Sequence, residues 1–314
     1  ARPLFMGIGI RIRSDEALRT RVYALPCSCM MYTLGGGQGA RVNEPFIDIG
    51  EPRIVYEHGG IIVAAKPAGM HCAPVGEPGT LCAWLFRLRP GLADVAGHAA
   101  DEGGLLHRLD SAGSGLVAFA SDGAAFAAMV RGASAGRFRK TYRALGIPGL
   151  AGLPGSRPLS SAPDAVDIRA WEAAVRNGGA VRLAAMLSGT RVSSRFRPYG
   201  PKGSRVACAV PDDHVACRDG GKAWTKAVYT SDISKAETRD GGILAEITLT
   251  RGFRHQIRAQ MAWIGLALKG DPVYGDADEG AILHLQASRL EFEPPHGDPR
   301  GGGSPVIVDL DACQ

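Results

Sequence analysis

Residues 105–120 read LLHRLDSAGSGLVAFA, with apolar residues at both ends and a short polar centre. The polar centre contains His107, Arg108, Asp110 and Ser111, so that a guanidinium and a carboxylate lie two residues apart. The apolar runs on either side have the character of short buried strands. The polar centre is therefore expected to form a loop between two strands, and its charged side chains need an explanation other than packing.

The rest of the chain predicts an α+β fold. Strands are predicted at 61–65, 115–120, 138–146, 223–231 and 242–250. Helices are predicted from a Thr80 cap to about Leu88, from a Ser121 or Asp122 cap to about Arg131, and over 254–264. Ile257, Met261 and Ile264 give the last helix an apolar face, and Gly265 suits a left-handed end. Because few strands are separated by regular crossovers, we expect a mixed, largely antiparallel sheet with flanking helices and loops.

Basic residues are concentrated in three stretches that contain no acidic residue. These stretches are 178–210, 131–143 and the run of Arg251, Arg254 and Arg258, in a chain whose net charge is only +5. A solvated surface usually mixes both signs, so this pattern indicates a footprint for phosphates. Phe138, Tyr142, Phe196 and Tyr199 lie among the basic residues and could stack on unpaired bases. A chance excess of arginine in loops, or an enzyme for small phosphorylated substrates, would explain part of the same pattern.

Other features of the composition argue against several classes of protein. No apolar run reaches the roughly 18–20 residues that span a bilayer, and residues 1–16 lack the apolar stretch of a secretion signal. Seven cysteines, an odd number in a chain of 314 residues, do not suggest a disulfide scaffold. Cys208, His214 and Cys217 fit no common zinc spacing. We therefore expect a cytoplasmic protein with reduced thiols, without a metal ion and without a membrane partner.

Five short blocks resemble the motifs of the RluA-type family of RNA pseudouridine synthases, and they follow one another in the family's order over roughly residues 55–295. The blocks are KPAG (66–69), HRLD with SGL (107–116), KTYRA (140–144), HQIR with G and GDP-YG (255–275), and LH with LEF (283–292). Each block alone is a weak signal, but five in order are highly specific. The histidine before Arg108 is typical of the RluA-like branch.

The resemblance implies both the reaction and the catalytic residues. Enzymes of this family isomerise uridine within RNA to pseudouridine, and no cofactor or metal is required. Asp110 matches the essential aspartate, which acts in its ionised form as nucleophile or base; whether it attacks the base, attacks the ribose or takes a sugar proton stays open. Arg258 matches the partner that holds this carboxylate. Tyr142 matches the tyrosine that could stack on uracil, and its hydroxyl could take the C5 proton.

The resemblance also implies the organisation of the chain and its partner. A pseudouridine synthase domain with a catalytic cleft across the sheet is expected over residues 46–314, after an irregular N-terminal extension at 1–45. The segment around 149–222 looks long for the family and is interpreted as a basic insertion. The expected partner is structured RNA, either ribosomal or transfer RNA, bound by a monomer.

Several residues are predicted to contact RNA. A target uridine must leave its stack to be reached, and Arg108 can fill the vacated space. His107 either orients the loop, touches the RNA backbone or is a packed, hydrogen-bonded side chain. The other predicted RNA-binding residues are Lys140, Arg254, His255, Arg191, Arg195, Arg197 and Lys202.

The sequence departs from the family pattern at two places near the expected site. Gly113 stands where threonine is common, and Gly252-Phe253-Arg254-His255 stands where Gly-Arg-Thr-His is usual. These changes motivate one alternative, a non-catalytic RNA-binding relative of the same fold. A carboxylate-dependent hydrolase is another alternative, but it would need a second catalytic acid near Asp110, and the nearby Asp101 and Glu102 look like loop charges.

Overall fold

A computed structural model describes residues 45–73, 78–99, 102–149, 162–211, 223–278, 280–295 and 304–313. The predicted N-terminal extension, except for its last residue, lies outside these ranges. So do His214 and Cys217 of the cysteine pattern.

The fold is α+β, as predicted, and its strands form one large mixed sheet. The described strands are β1 (Arg53–His58), β2 (Ile61–Lys66), β3 (Ser114–Ala120), β4 (Arg139–Pro148), β5 (Thr190–Tyr199), β6 (Arg205–Ala209), β7 (Tyr229–Arg239), β8 (Gly242–Leu249), β9 (Leu266–Leu268), β10 (Leu285–Phe292) and β11 (Val306–Asp309). Their order is β1-β2-β3-β10-β4-β8-β7-β5-β6, while β9 pairs with β4 and β11 pairs with β10. Among these pairs only β3 and β10 run parallel.

Five described helices pack on the sheet, namely α1 (Leu81–Leu88), α2 (Gly123–Ser134), α3 (Ile168–Arg176), α4 (Ala180–Leu187) and α5 (Gln256–Trp263). Thr80 caps α1 by accepting the N–H of Ala83, and Asp122 caps α2 by accepting the N–H of Ala125, which confirms both predicted starts. Gly265 follows α5 with a left-handed φ of +84°, as expected. The helix itself differs from the prediction of a single apolar face, because all eight of its residues are buried.

Strand β10 joins the two halves of the sheet. Ala287 of β10 lies opposite Gly115 of β3 on one side and opposite Tyr142 of β4 on the other. Gly115 is required at this crossing, because its φ is +117° and a Cβ atom there would lie 2.2 Å from the carbonyl oxygen of Ala287. This close approach brings the loop that precedes β3 next to the middle of β4.

The described part of segment 149–222 contributes to the main sheet. It contains α3, α4, β5 and β6, and β5 pairs with β7 over residues 190–194. The strand predicted at 223–231 begins later, at Tyr229, because Thr225 before it is bonded to β5 outside the β5–β7 ladder. Thr225 exchanges hydrogen bonds with the backbone of Phe196 through its own N–H and its hydroxyl oxygen.

Candidate active site

The structure brings Asp110 and Arg258 together although 148 residues separate them in the chain. Arg258 Nη1 donates to Asp110 Oδ2 at 3.0 Å. The arginine side chain is 5% exposed, and the aspartate side chain keeps 22% of its surface open to solvent. In the loop after Asp110, the N–H of Gly113 donates to the Asp110 carbonyl oxygen at 3.1 Å, so glycine replaces the usual threonine without opening this turn.

A second carboxylate, Asp271, holds the same guanidinium more fully. Arg258 Nε and Nη2 donate to Asp271 Oδ2 and Oδ1, both at 2.8 Å. Burial acts to lower the pKa of Arg258, but the bonds and charge of Asp271, followed by the charge and bond of Asp110, outweigh it and raise the pKa. Asp271 is fully buried, and sequence analysis gave it no role, although its GDP block was part of the resemblance.

Helix α5 is held in place by buried polar side chains. Gln260 donates from Nε2 to Ser194 Oγ and to the Tyr229 carbonyl oxygen, and its Oε1 accepts the hydroxyl of Ser231 at 2.6 Å. Gln256 donates to the Thr230 carbonyl oxygen at 3.1 Å. Buried polar groups that are fully bonded fix a single arrangement, so strands β5 and β7 determine where Arg258 points.

Lys66, at the end of β2, ties the KPAG turn to the loop that carries Asp110. It is fully buried, and its ammonium donates to the carbonyl oxygens of Pro67 and Met70 at 2.8 Å and of Ser111 at 3.3 Å. The N–H of Gly69 also donates to the Ser111 carbonyl oxygen, at 2.8 Å. Burial lowers the pKa of Lys66 to about 8, while Cys72 and Asp110 act in the opposite direction. The lysine was part of a block of the resemblance, but no role was predicted for it from the sequence.

Cys72 supports the loop from the other side. Its sulfur accepts the N–H of Leu109 at 3.3 Å and donates to the Leu109 carbonyl oxygen at 3.5 Å. Burial raises the pKa of this thiol, so it remains protonated and serves as a packed donor and acceptor beside the loop.

His255 precedes α5 in a left-handed conformation, with φ +56° and ψ +20°. Its Nδ1 lies 2.9 Å from the Tyr274 hydroxyl, which also accepts the N–H of Val206. Its Nε2 lies 3.8 Å from Asp110 Oδ1. Burial lowers the pKa of His255, with Asp110 opposing this effect and Arg258 adding to it. The ring therefore faces Asp110 as a neutral imidazole, and a left-handed backbone at a non-glycine residue is typical of functional sites.

Tyr142 lies on β4 and is 7% exposed. Burial raises the pKa of Tyr142, and the negative charge of Asp110 raises it further. The phenol is thus protonated, and it lies close enough to the Asp110 carboxylate to interact with its charge. The three predicted catalytic residues form one group at the junction of β3, β10 and β4.

Two of the predicted RNA-binding residues are not freely exposed: His107 is half-buried and Lys140 is buried. His107 Nε2 accepts the N–H of Ala118 at 3.2 Å, in place of a strand partner, and burial followed by the charge of Lys140 lowers the pKa of His107 to about 3. The packed, hydrogen-bonded alternative is therefore the one that the structure favours for His107. Lys140 is 7% exposed with its ammonium 4.7 Å from the Phe138 ring centroid, and burial lowers its pKa to about 8. Neither side chain offers a surface charge to RNA.

Arg108 and Arg254 are both exposed and have different partners. Arg108 makes an ion pair with Glu102 at 3.1 Å, and its side chain is 66% exposed. Arg254 donates to the carbonyl oxygens of Gly203 and Arg205, between β5 and β6 and at the start of β6.

Phe253, which differs from the usual family residue, packs on the hairpin formed by β5 and β6. Its ring stacks on Phe196 of β5 with the ring centroids 4.9 Å apart. The two residues that replace the usual Arg-Thr thus dock the start of α5 on β5 and β6.

The three predicted arginines of β5 share one face of the sheet. Val192, Ser194 and Phe196 are buried beneath α5, and they alternate with Arg191, Arg195 and Arg197, which consequently point to the other face. Arg191 lies 3.8 Å from Asp232, and Arg197 lies 5.3 Å from the Trp224 ring. Lys202 is exposed in the turn between β5 and β6. The three arginines of β5 therefore do not line the side of the sheet that carries Arg258, whereas Lys202 lies in a turn whose Gly203 carbonyl oxygen accepts from Arg254.

The parts of the chain that the structure describes contain no group of three or more His, Cys, Asp or Glu side chains suited to a metal ion. The same residues include no helix with the length and apolarity to cross a bilayer.

Known proteins resemble this chain in sequence. A family model described as RNA pseudouridylate synthase matches residues 60–263. The ribosomal large subunit pseudouridine synthase D of Pseudomonas aeruginosa is 27% identical over 227 residues, which are 72% of this chain and 54% of that protein. The protein of the same name from Zymomonas mobilis is 26% identical, over 96% of this chain and 89% of its own length. The chain thus spans about half the length of the first relative and most of the second.

A solved structure shares the fold. Human RNA pseudouridylate synthase domain containing 1 superposes with a TM-score of 0.50 at 18% identity, covering 86% of this chain and 90% of the human chain. At this identity the likeness concerns the arrangement of strands and helices alone.

Proposed function

The chain belongs to the RluA-type family of RNA pseudouridylate synthases, and from this premise we propose that it isomerises uridine to pseudouridine at specific positions in structured RNA. The observation that carries the proposal is the 3.0 Å contact between Arg258 and Asp110, beside Tyr142. In the reaction, the bond between N1 and the ribose C1′ breaks and a bond between C5 and C1′ forms. C5 loses a proton and N1 gains one, so that the product is an isomer and no electrons are transferred.

Asp110 is proposed as the catalytic carboxylate. Attack on the base, attack on the ribose and removal of a sugar proton all require its ionised form, which a guanidinium within hydrogen-bond distance favours. Arg258 bonds to Oδ2 alone, and this leaves Oδ1 available to the nucleotide. The partial exposure of the Asp110 side chain is consistent with access by a substrate.

Tyr142 is proposed to stack on the uracil ring. Because burial raises the pKa of Tyr142, its hydroxyl is an unfavourable acceptor for the C5 proton unless it first gives up its own. The base has to be flipped out of its stack to reach the site. Arg108, exposed two residues from Asp110, is proposed to occupy the space that the base leaves.

Large-subunit ribosomal RNA is the target that the relatives' names support. Transfer RNA is the other class of structured RNA that the sequence analysis left open. Mapping pseudouridines in the ribosomal and transfer RNA of a strain that lacks the protein distinguishes the two, because only a true target loses a modified position.

Release of tritium from C5-labelled uridine in RNA tests the reaction directly. We expect the wild-type protein and an Asp94→Asn control, which removes an exposed carboxylate elsewhere, to release label. Asp110→Asn keeps the shape of the side chain but removes its charge, and we expect no measurable release. Absence of release by the wild-type protein from total cellular RNA would support the non-catalytic RNA-binding alternative.

A further inference from the structure

The charge of Arg258 is divided unequally between two carboxylates. Its Nε and Nη2 atoms make a parallel pair of bonds to Asp271, whereas only Nη1 reaches Asp110. A paired contact of this kind is the strongest arrangement between a guanidinium and a carboxylate. Asp271 is therefore the principal partner of Arg258, and Asp110 receives a single N–H.

Asp271 cannot easily give up this position. Its Oδ1 also accepts the backbone N–H groups of Val273 at 2.9 Å and Tyr274 at 3.1 Å, and the residue is fully buried. The turn that it organises places the Tyr274 ring 5.5 Å from the Arg258 guanidinium carbon. The cation is consequently held on two sides, and it cannot rotate to offer Asp110 a second N–H without breaking these contacts.

The electrostatic consequence concerns the catalytic carboxylate. One guanidinium and two carboxylates carry a net charge of −1, so most of the cation's charge is compensated before Asp110 is considered. If Asp110 were the only carboxylate bonded to the guanidinium, it would be a weaker nucleophile and a weaker base, because its negative charge would be more strongly stabilised. Sharing the cation keeps Asp110 oriented and still reactive.

We propose that Asp271 is a positioning residue, which fixes Arg258 so that one N–H orients Asp110 while the rest of the cation is withheld from it. This inference rests on the proposed function and names a residue to which that function gave no part.

Asp271→Asn tests the inference with little change in shape. The amide oxygen can still accept the backbone N–H groups of Val273 and Tyr274, but its NH₂ group faces the donors of Arg258. The guanidinium is then expected to turn towards Asp110. We expect kcat to fall by about tenfold or more, while KM for RNA changes by less than about twofold. In a plot of kcat against pH, we expect the acidic limb to move to lower pH.

Two further variants separate positioning from a general effect. Asp276→Asn removes an exposed carboxylate five residues away, and we expect wild-type rates and an unmoved profile. Asp271→Glu keeps the charge but lengthens the side chain, and we expect a reduced kcat with the acidic limb restored to its wild-type position. If Asp271→Asn does not fold, this glutamate variant still decides, because full wild-type kcat in it would overturn the need for exact placement.

A readout that does not depend on activity completes the test. Carbon NMR of the Asp110 carboxyl group in the free protein should show a different chemical shift in Asp271→Asn from that in the wild type at the same pH, because the guanidinium has turned towards it. Equal chemical shifts, or an unchanged kcat per folded molecule, overturn the inference. A wild-type protein that releases no tritium would defeat the proposed function instead, while the NMR comparison would still report on Asp271.

Discussion

The ring and the hydroxyl of Tyr142 can be separated by substitution. We expect Tyr142→Phe to keep tritium release within about tenfold of wild type, because the buried phenol, whose pKa is raised by burial and by Asp110, is not the resting proton acceptor. Tyr142→Leu removes the stacking surface, which is worth about 1–3 kcal/mol per base, or roughly a 5- to 150-fold loss in kcat/KM. Equal losses in both variants would show that the hydroxyl is essential.

The sequence predicted the acid and its cation but not the residues that hold them. Asp110 and Arg258 follow from the motifs, and the structure places them in contact. Asp271 and Lys66 lie inside quoted blocks, yet a spacing does not tell whether a charged side chain points inward. The burial of Lys66 could not be predicted from the sequence, because one of its three carbonyl partners lies 45 residues away and approaches it only in the folded chain.

Lys66 joins the end of β2 to the loop before β3, and its protonation should be visible in the rate. Burial lowers the pKa of Lys66 to about 8, so as the pH rises through about 8 the side chain loses its charge and one of three N–H donors. We therefore expect wild-type kcat to fall across this range. Lys66→Met lacks the cation at every pH, and we expect a kcat lower by about tenfold that no longer falls near pH 8.

Lys140→Met is the matched control for this experiment. Burial also lowers the pKa of Lys140 to about 8, but this lysine makes no hydrogen bond to the loop of Asp110 among the described residues. The fall in kcat should persist in this variant. Persistence of the fall in Lys66→Met would assign it to another group.

Capped helix starts and four of the five predicted strands lie within two residues of their predicted positions, whereas the start of β7 and the complete burial of α5 were not predicted. Thr80 and Asp122 act on N–H groups three residues away, so local sequence is enough. Strand β7 was placed too early, because Thr225 takes up bonds of Phe196 that a strand partner would otherwise make. Helix α5 was predicted with one apolar face, but Gln256 and Gln260 find buried partners on β5 and β7 and allow the whole helix to be enclosed.

At the scale of the whole molecule, the basic face of β5 is predicted to contact RNA, and this can be tested by charge reversal. Changing Arg191, Arg195 and Arg197 to Glu should weaken RNA binding and reduce the slope of log affinity against log salt. The reduction should be about 2–3, since each phosphate contact contributes about 0.7–0.9. Because these residues point away from Arg258, we expect kcat at saturating RNA to change much less than affinity.

A second triple variant, with Arg87, Arg169 and Arg176 changed to Glu, makes the same change in net charge on α1 and α3. Its salt slope should stay near the wild-type value. Equal slopes in the two triple variants would remove β5 as an RNA-contacting face and leave only the general positive charge of the protein.

The central place of β10 has a consequence for the synthesis of the protein. This strand lies between β3 and β4 in the sheet, but the ribosome makes it after both of them and after all the intervening strands. Until Leu285–Phe292 has been translated, β3, which follows the loop of Asp110, and β4, which carries Tyr142, lack the strand that pairs with both of them. We therefore expect a nascent chain, or a product of premature termination before this point, to lack the proposed activity until synthesis has passed β10.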